Sequence, residues 1–152
     1  MGSRVRPLNW DVALIAWAEH LRGSPFEWGV TDCAILCLEA FDIMSGRWGQ
    51  PDGCGGLAEQ YRGRYADERA ARRFQVLHDV DLRKKLVAAG CTPVAPNFQQ
   101  CGDFLLESAG GFVCGHVCLG LHALSATPES GVQMLPVREL IARPWCEILR
   151  AP

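Results

Sequence analysis

Phe26-Glu27-Trp28-Gly29-Val30-Thr31-Asp32-Cys33-Ala34-Ile35-Leu36 is the stretch on which the fold turns. An aromatic turn ends in a Thr-Asp pair, a cysteine follows, and an apolar run of helical character begins. That order places Cys33 in the first turn of a helix, with Asp32 as the cap. Unpaired backbone N–H groups and the positive end of the helix dipole face a thiol there. Such a setting lowers a thiol pKa and favours thiolate, the nucleophilic form. The helix is predicted over residues 32–45, with Gly46 as its stop. Ile35, Leu36, Leu38, Phe41, Ile43 and Met44 cover most of its circumference, which marks a central, buried helix.

Upstream, Asn9 is placed to cap a helix through Leu21, with Trp10, Leu14, Trp17, Ala18 and Leu21 as its apolar stripe. Gly23 and Pro25 end it. Downstream, residues 46–56 are rich in glycine and proline and read as a loop. Residues 57–77 are polar and helical in propensity. Their arginines, Arg62, Arg64, Arg69, Arg72 and Arg73, read as a solvated face paired with Asp67 and Glu68, with docking to an acidic neighbour as the alternative. Asp79 is expected to cap a further helix through Ala89, and residues 92–100 to form a connector. From Gly102 the character changes to strand. Residues 103–107 and 112–121 read as two strands around the turn Ala109-Gly110-Gly111. Shorter strands follow at 124–127, 132–135 and 145–149, with a helical turn at 137–141. Helices first and an antiparallel sheet second predict an α+β fold. One domain over 1–152 is expected, with a helical and loop insertion at about 46–90.

The 152 residues carry 21% charged and 49% hydrophobic side chains and a net charge of -2, which suits ordinary globular folding. No lysine or arginine tract favours nucleic acid or an anionic membrane surface. No segment is long and apolar enough to suggest a membrane span. Asp11 and Glu19 interrupt any signal-peptide core after Arg4 and Arg6, so Sec export is not expected. Eight cysteines without a signal peptide read as free thiols. The close pairs Cys33/Cys37 and Cys114/Cys118 lack the tighter spacing of zinc knuckles, so neither metal nor cofactor is expected.

The ordered set Phe26-Glu27-Trp28-Gly29, Asp32-Cys33, Gly102-Asp103-Phe104 and His116-Val117-Cys118-Leu119 resembles the NlpC/P60 superfamily of papain-like cysteine peptidases. The likeness is greatest to its compact phage and prophage branch, whose nucleophile motif reads Trp-Gly-x-x-Asp-Cys. Gly131-Val132-Gln133 and the late Pro144-Trp145 also look like that branch. The chain departs from the pattern in two places. Phe26 stands where many relatives have tyrosine, and Ala34-Ile35 where many have Ser-Gly.

The resemblance implies a papain-like fold with Cys33 as nucleophile and His116 as its base. Cys33 needs such a group to take its proton and return it to the leaving amine. The third, orienting residue should come from the strand beside His116, with Ser125 first and His122 second. A plain serine is an equal reading. His122 should lie past the end of the His116 strand, and His20 and His78 in solvent. The other seven cysteines read as packing, Cys37 beneath Cys33, with a resolving thiol as its lesser alternative. The amide of Cys33 could contribute to an oxyanion hole. Asp103 should open its strand with a structural hydrogen bond. The tryptophans read mostly as core, with Trp48 the candidate for a groove wall or partner contact.

The implied activity is a cysteine peptidase or amidase cutting peptidoglycan stem peptides. The implied setting is a phage tail tip, made in the host cytoplasm and carried in the virion, with tail-tip or hub proteins as partners through residues 46–90. A structural tail subunit that keeps the fold with little activity is the alternative.

Overall fold

A computed structural model describes residues 6–47, 56–109 and 111–152. Trp48 and Cys54, within the predicted glycine loop, lie outside them. The helices are α1 (Trp10–Leu21), α2 (Cys33–Met44), α3 (Glu68–His78), α4 (Leu82–Ala88) and α5 (Val137–Ile141), with a single 3₁₀ turn at Ala58–Gln60. The strands are β1 (Thr92–Val94), β2 (Phe104–Ala109), β3 (Phe112–Cys118), β4 (His122–Thr127), β5 (Gly131–Pro136) and β6 (Glu147–Arg150). They form one antiparallel sheet in the order β1-β6-β2-β3-β4-β5. The architecture is α+β, helices and antiparallel sheet.

α2 is the centre of the molecule. Ten of its twelve residues, from Ile35 to Met44, are buried. The Asp32 carboxylate accepts the Ile35 amide at 3.0 Å and the Gly29 amide at 2.7 Å, fixing both the cap and the turn before it. Two further acids on this helix are buried by design of their partners. Asp42 accepts the amides of Leu57 and Ala58 at 2.7 and 3.0 Å, and Glu39 holds Arg62 at 2.7 Å and the Trp17 indole at 3.0 Å. Burial raises the pKa of both carboxyls, and these donors oppose it. Part of the predicted insertion is thereby tied to the core helix.

One face of the sheet joins α1, α2 and α4 in the main core, which includes Phe104, Leu106 and Val117. The other carries a smaller cluster of Leu105, Cys118, Ala123, Val137, Leu140 and Ile148. α2 approaches β3 at Gly115, where a Cβ would lie 2.5 Å from Cys37 Sγ and 2.6 Å from Leu82 Cδ2. Only a missing side chain permits that approach. Asp103 opens β2 as expected, accepting the Gln100 amide at 2.8 Å and both arms of Arg150 at 2.9 Å.

Several local expectations are corrected. Asn9 precedes α1 in a left-handed conformation (φ 63°), and its side chain makes no cap bond. Asp79 ends α3 instead of opening α4, which Asp81 caps through the Lys84 amide. Residues 57–77 hold a short 3₁₀ turn and a later helix, because Asp67 takes the Ala70 amide and starts α3 there. Asp67 is therefore a cap; Arg72 pairs with Glu68, and Arg62 with Glu39 and Glu59. The connector after Cys91 includes β1, which pairs with β6. Trp145 is 74% exposed, not core. Among the described residues no helix is long and apolar enough to cross a membrane.

Candidate active site

Cys33 is the first residue of α2, as its sequence context predicts. It lines a pocket of about 340 Å³. Aromatic rings wall the pocket: Trp28 meets Phe26 edge-on at 4.9 Å and leans on Phe112 at 6.0 Å, and Arg72 covers the Phe112 ring.

β2 and β3 form the hairpin predicted around residues 109–111, and its register sets the rest of the site. Glu107 stands opposite Cys114, and Leu105 opposite His116. Directly opposed residues share a sheet face, as do residues two apart on one strand. Glu107, Cys114 and His116 therefore form one group. β4 pairs with β3 through Val117–Leu124 and Cys118–Ala123. Continuing that register by one step sets Ser125 across from His116. His116 Nδ1 lies 2.5 Å from Ser125 Oγ, and its Nε2 lies 3.2 Å from Glu107 Oε1. His116 and Ser125 are both buried. The structure thus brings together two of the predicted residues, His116 and Ser125. His122 opens β4 and is exposed, so it belongs to a different strand from His116; His20 and His78 are also exposed.

Cys33 keeps other company. Its thiol neighbours that of Cys114, which lines the same pocket, and the Gly115 amide lies beside its sulfur. Among the described residues no hydrogen bond joins Cys33 to His116. The expected depression of the Cys33 pKa is not met. The hydrogen bond with Cys114, then burial, then the neighbouring charges of Cys114 and Asp32 hold this thiol well above the ordinary range; the Gly115 amide pulls the other way. Cys114 is shifted down, first by the hydrogen bond from Cys33, with Arg143 adding and burial and Glu107 opposing. The two thiols share one easily lost proton. The first ionisation leaves an S–H···S⁻ contact, and the second would set two negative sulfurs side by side.

Glu107 is the remaining charged member. Its hydrogen bond to His116, aided by Arg143 at 2.6 and 2.8 Å and opposed by burial, holds its carboxyl down to about 2. Cys37, fully buried, has its thiol pushed up by burial and lies under Gly115. Sequence reasoning missed Cys114 and Glu107. Both were within reach of it: Cys114 is two residues before His116 on one strand, and the hairpin register delivers Glu107 opposite. Arg143 carried no such signal, because it arrives after α5 through tertiary packing. Among the described residues no group of three or more histidine, cysteine and carboxylate side chains is placed to hold a metal ion.

Comparison with known proteins adds one match. No curated protein matches the chain. The model of a family described as a domain of unknown function, DUF6950, matches residues 5–145. A match spanning nearly the whole chain assigns it: the protein belongs to the DUF6950 family.

Proposed function

We propose that the chain is a cysteine peptidase or amidase of papain-like, NlpC/P60 type, acting on peptidoglycan stem peptides from a phage tail tip. The observation that carries the reading is the buried imidazole of His116, held between Ser125 and Glu107 on the strand that also meets the cysteine-bearing helix start. A structural core has little use for a histidine fixed at both ring nitrogens beside a thiol pair.

In this reading a substrate peptide lies along the aromatic pocket with its amide carbon at Cys33 Sγ. The Asp32 carboxylate accepts the Gly29 and Ile35 amides, so the amide of Cys33, at the first helical position, is left for the developing oxyanion. His116 takes the Cys33 proton, the thiolate attacks the carbonyl carbon, and the C–N bond breaks as the leaving amine takes that proton from His116. With both nitrogens protonated, the His116 ring donates to Ser125 Oγ and to Glu107 together. Its approach to the thiol requires Nε2 to exchange Glu107 for the reacting groups, a tightening that resting enzymes often reserve for bound substrate. Water then attacks the acyl-enzyme, with His116 as base, and frees Cys33.

A second reading is favoured by a specific observation. In the resting arrangement Cys33 neighbours Cys114, and both nitrogens of His116 are taken. A tail subunit that keeps the fold as an interaction module would tolerate that arrangement. The test is incubation of the purified chain, under reducing conditions, with peptidoglycan fragments, read by mass spectrometry of new amino termini. The hydrolase reading expects cleavage that Cys33→Ala and His116→Ala abolish, with particle assembly intact. Absence of cleavage by the unaltered chain, with assembly unaffected by Cys33→Ala, favours the structural reading.

A further inference from the structure

We propose that Cys33 and Cys114 are a redox couple, closing to a disulfide that joins the start of α2 to β3 and masks the thiol at the pocket. Two observations carry it. Each thiol is the largest influence on the other's ionisation, as neighbouring sulfurs are, although their residues lie far apart in the chain. Both residues line the same pocket, so a small oxidant reaches them together. No other described cysteine combines these properties. Cys37 is sealed beneath Gly115, and Cys118 donates to the Gly120 carbonyl at 3.6 Å within the second core cluster. Cys91, Cys101 and Cys146 do not line the pocket, and burial raises their thiols.

The chemistry balances with a peroxide as oxidant. The Cys114 thiolate, the form that the Cys33 S–H and Arg143 favour, attacks one peroxide oxygen. The O–O bond breaks, Cys114 becomes a sulfenic acid, and the leaving hydroxide takes a proton to become water. Cys33 sulfur then attacks Cys114 sulfur. The S–S bond forms, the S–O bond breaks, and the Cys33 proton leaves with the hydroxide as a second water. Two thiols have given two electrons to one peroxide. A dithiol reductant reverses the change by exchange. The couple itself does not depend on any hydrolase activity. Its consequence does: with Cys33 in a disulfide no thiol remains to attack an amide, so the silencing rests on the function proposed above.

The experiment treats the full chain with hydrogen peroxide, blocks remaining thiols, and assigns cross-links by proteolysis and fragment-ion sequencing. The expected product is a Cys33–Cys114 link, reversed by dithiothreitol and still formed in Cys37→Ala. In Cys114→Ser, and in Cys114→Ala as a second variant, Cys33 should instead advance to sulfinic and sulfonic acid. A dominant Cys33–Cys37 link, or over-oxidation of Cys33 in the unaltered chain without a link to Cys114, overturns the couple. Stem-peptide hydrolysis is read in parallel. A reversible Cys33–Cys114 link in a protein that never hydrolyses leaves the couple standing and counts against the hydrolase. Hydrolysis that persists through peroxide treatment, with no such link, does the reverse.

Discussion

Gly115→Ala probes the contact that sets the site. The added methyl would lie 2.5 Å from Cys37 Sγ, 2.6 Å from Leu82 Cδ2 and 3.3 Å from Leu106 Cδ2. Two neighbours must retreat by roughly 1 Å to reach ordinary contact, and both are buried among α2, α4 and the sheet. Overpacking of this kind costs about 1–3 kcal/mol. Loss of glycine's unfolded-state freedom returns about 0.4–1 kcal/mol where the backbone accepts alanine. A net destabilisation of about 1–2 kcal/mol is expected, and at this chain length each kcal/mol lowers Tm by about 2–4 °C. The control is Cys37→Ala, which removes one of the two obstructing atoms. Alone it costs about 1 kcal/mol or more as a small cavity. Combined with Gly115→Ala it should recover about half the overpacking, leaving a favourable coupling of roughly 0.5–1 kcal/mol. Urea unfolding of the four proteins measures the cycle. Additivity within about 0.3 kcal/mol, or a Gly115→Ala protein as stable as its parent, would refute the claim that the bare backbone of β3 seats α2.

Asp32→Ala removes the acceptor of the Gly29 and Ile35 amides and should cost about 1–2 kcal/mol in chemical unfolding; because the Asp32 charge holds the Cys33 thiol up, alkylation at Cys33 should quicken when measured well below the unfolding transition. Glu107 has its pKa depressed from 4.5 to about 2, so its contribution to stability is fully present above 4.5 and is lost as pH falls toward 2. Glu107→Gln should therefore flatten that part of the acid-unfolding curve, and an unchanged curve would show that the His116 and Arg143 contacts are not made in solution. Iodoacetamide at neutral pH should modify the Cys33–Cys114 pair before Cys37, Cys91 or Cys118, because the pair shares one readily lost proton. Peptide mapping that finds a buried cysteine first would contradict the shared-proton picture.

The order of elements around the site was legible in the chain because local rules dictate it. Asp32 had to cap and Cys33 had to begin a helix, since a short acceptor followed by an apolar run satisfies orphan amides and buries a surface at once. The hairpin of β2 and β3 followed from alternating apolar residues about a glycine turn, and Ser125 beside His116 from the strand that must come next. Asp79 and Asp81 show where local rules stop: both are cap residues, two positions apart, and only packing of α3 and α4 decided which helix each serves. β1 escaped notice because a three-residue strand with a proline is stabilised by its β6 partner, not by its own pattern. The charge state of the site belongs wholly to tertiary structure. A helix start alone predicts a lowered thiol pKa at Cys33. The fold sets Cys114 against it, adds Asp32 and burial, and sends the shift upward, because a neighbouring thiol and lost solvent outweigh the partial charge of a helix end.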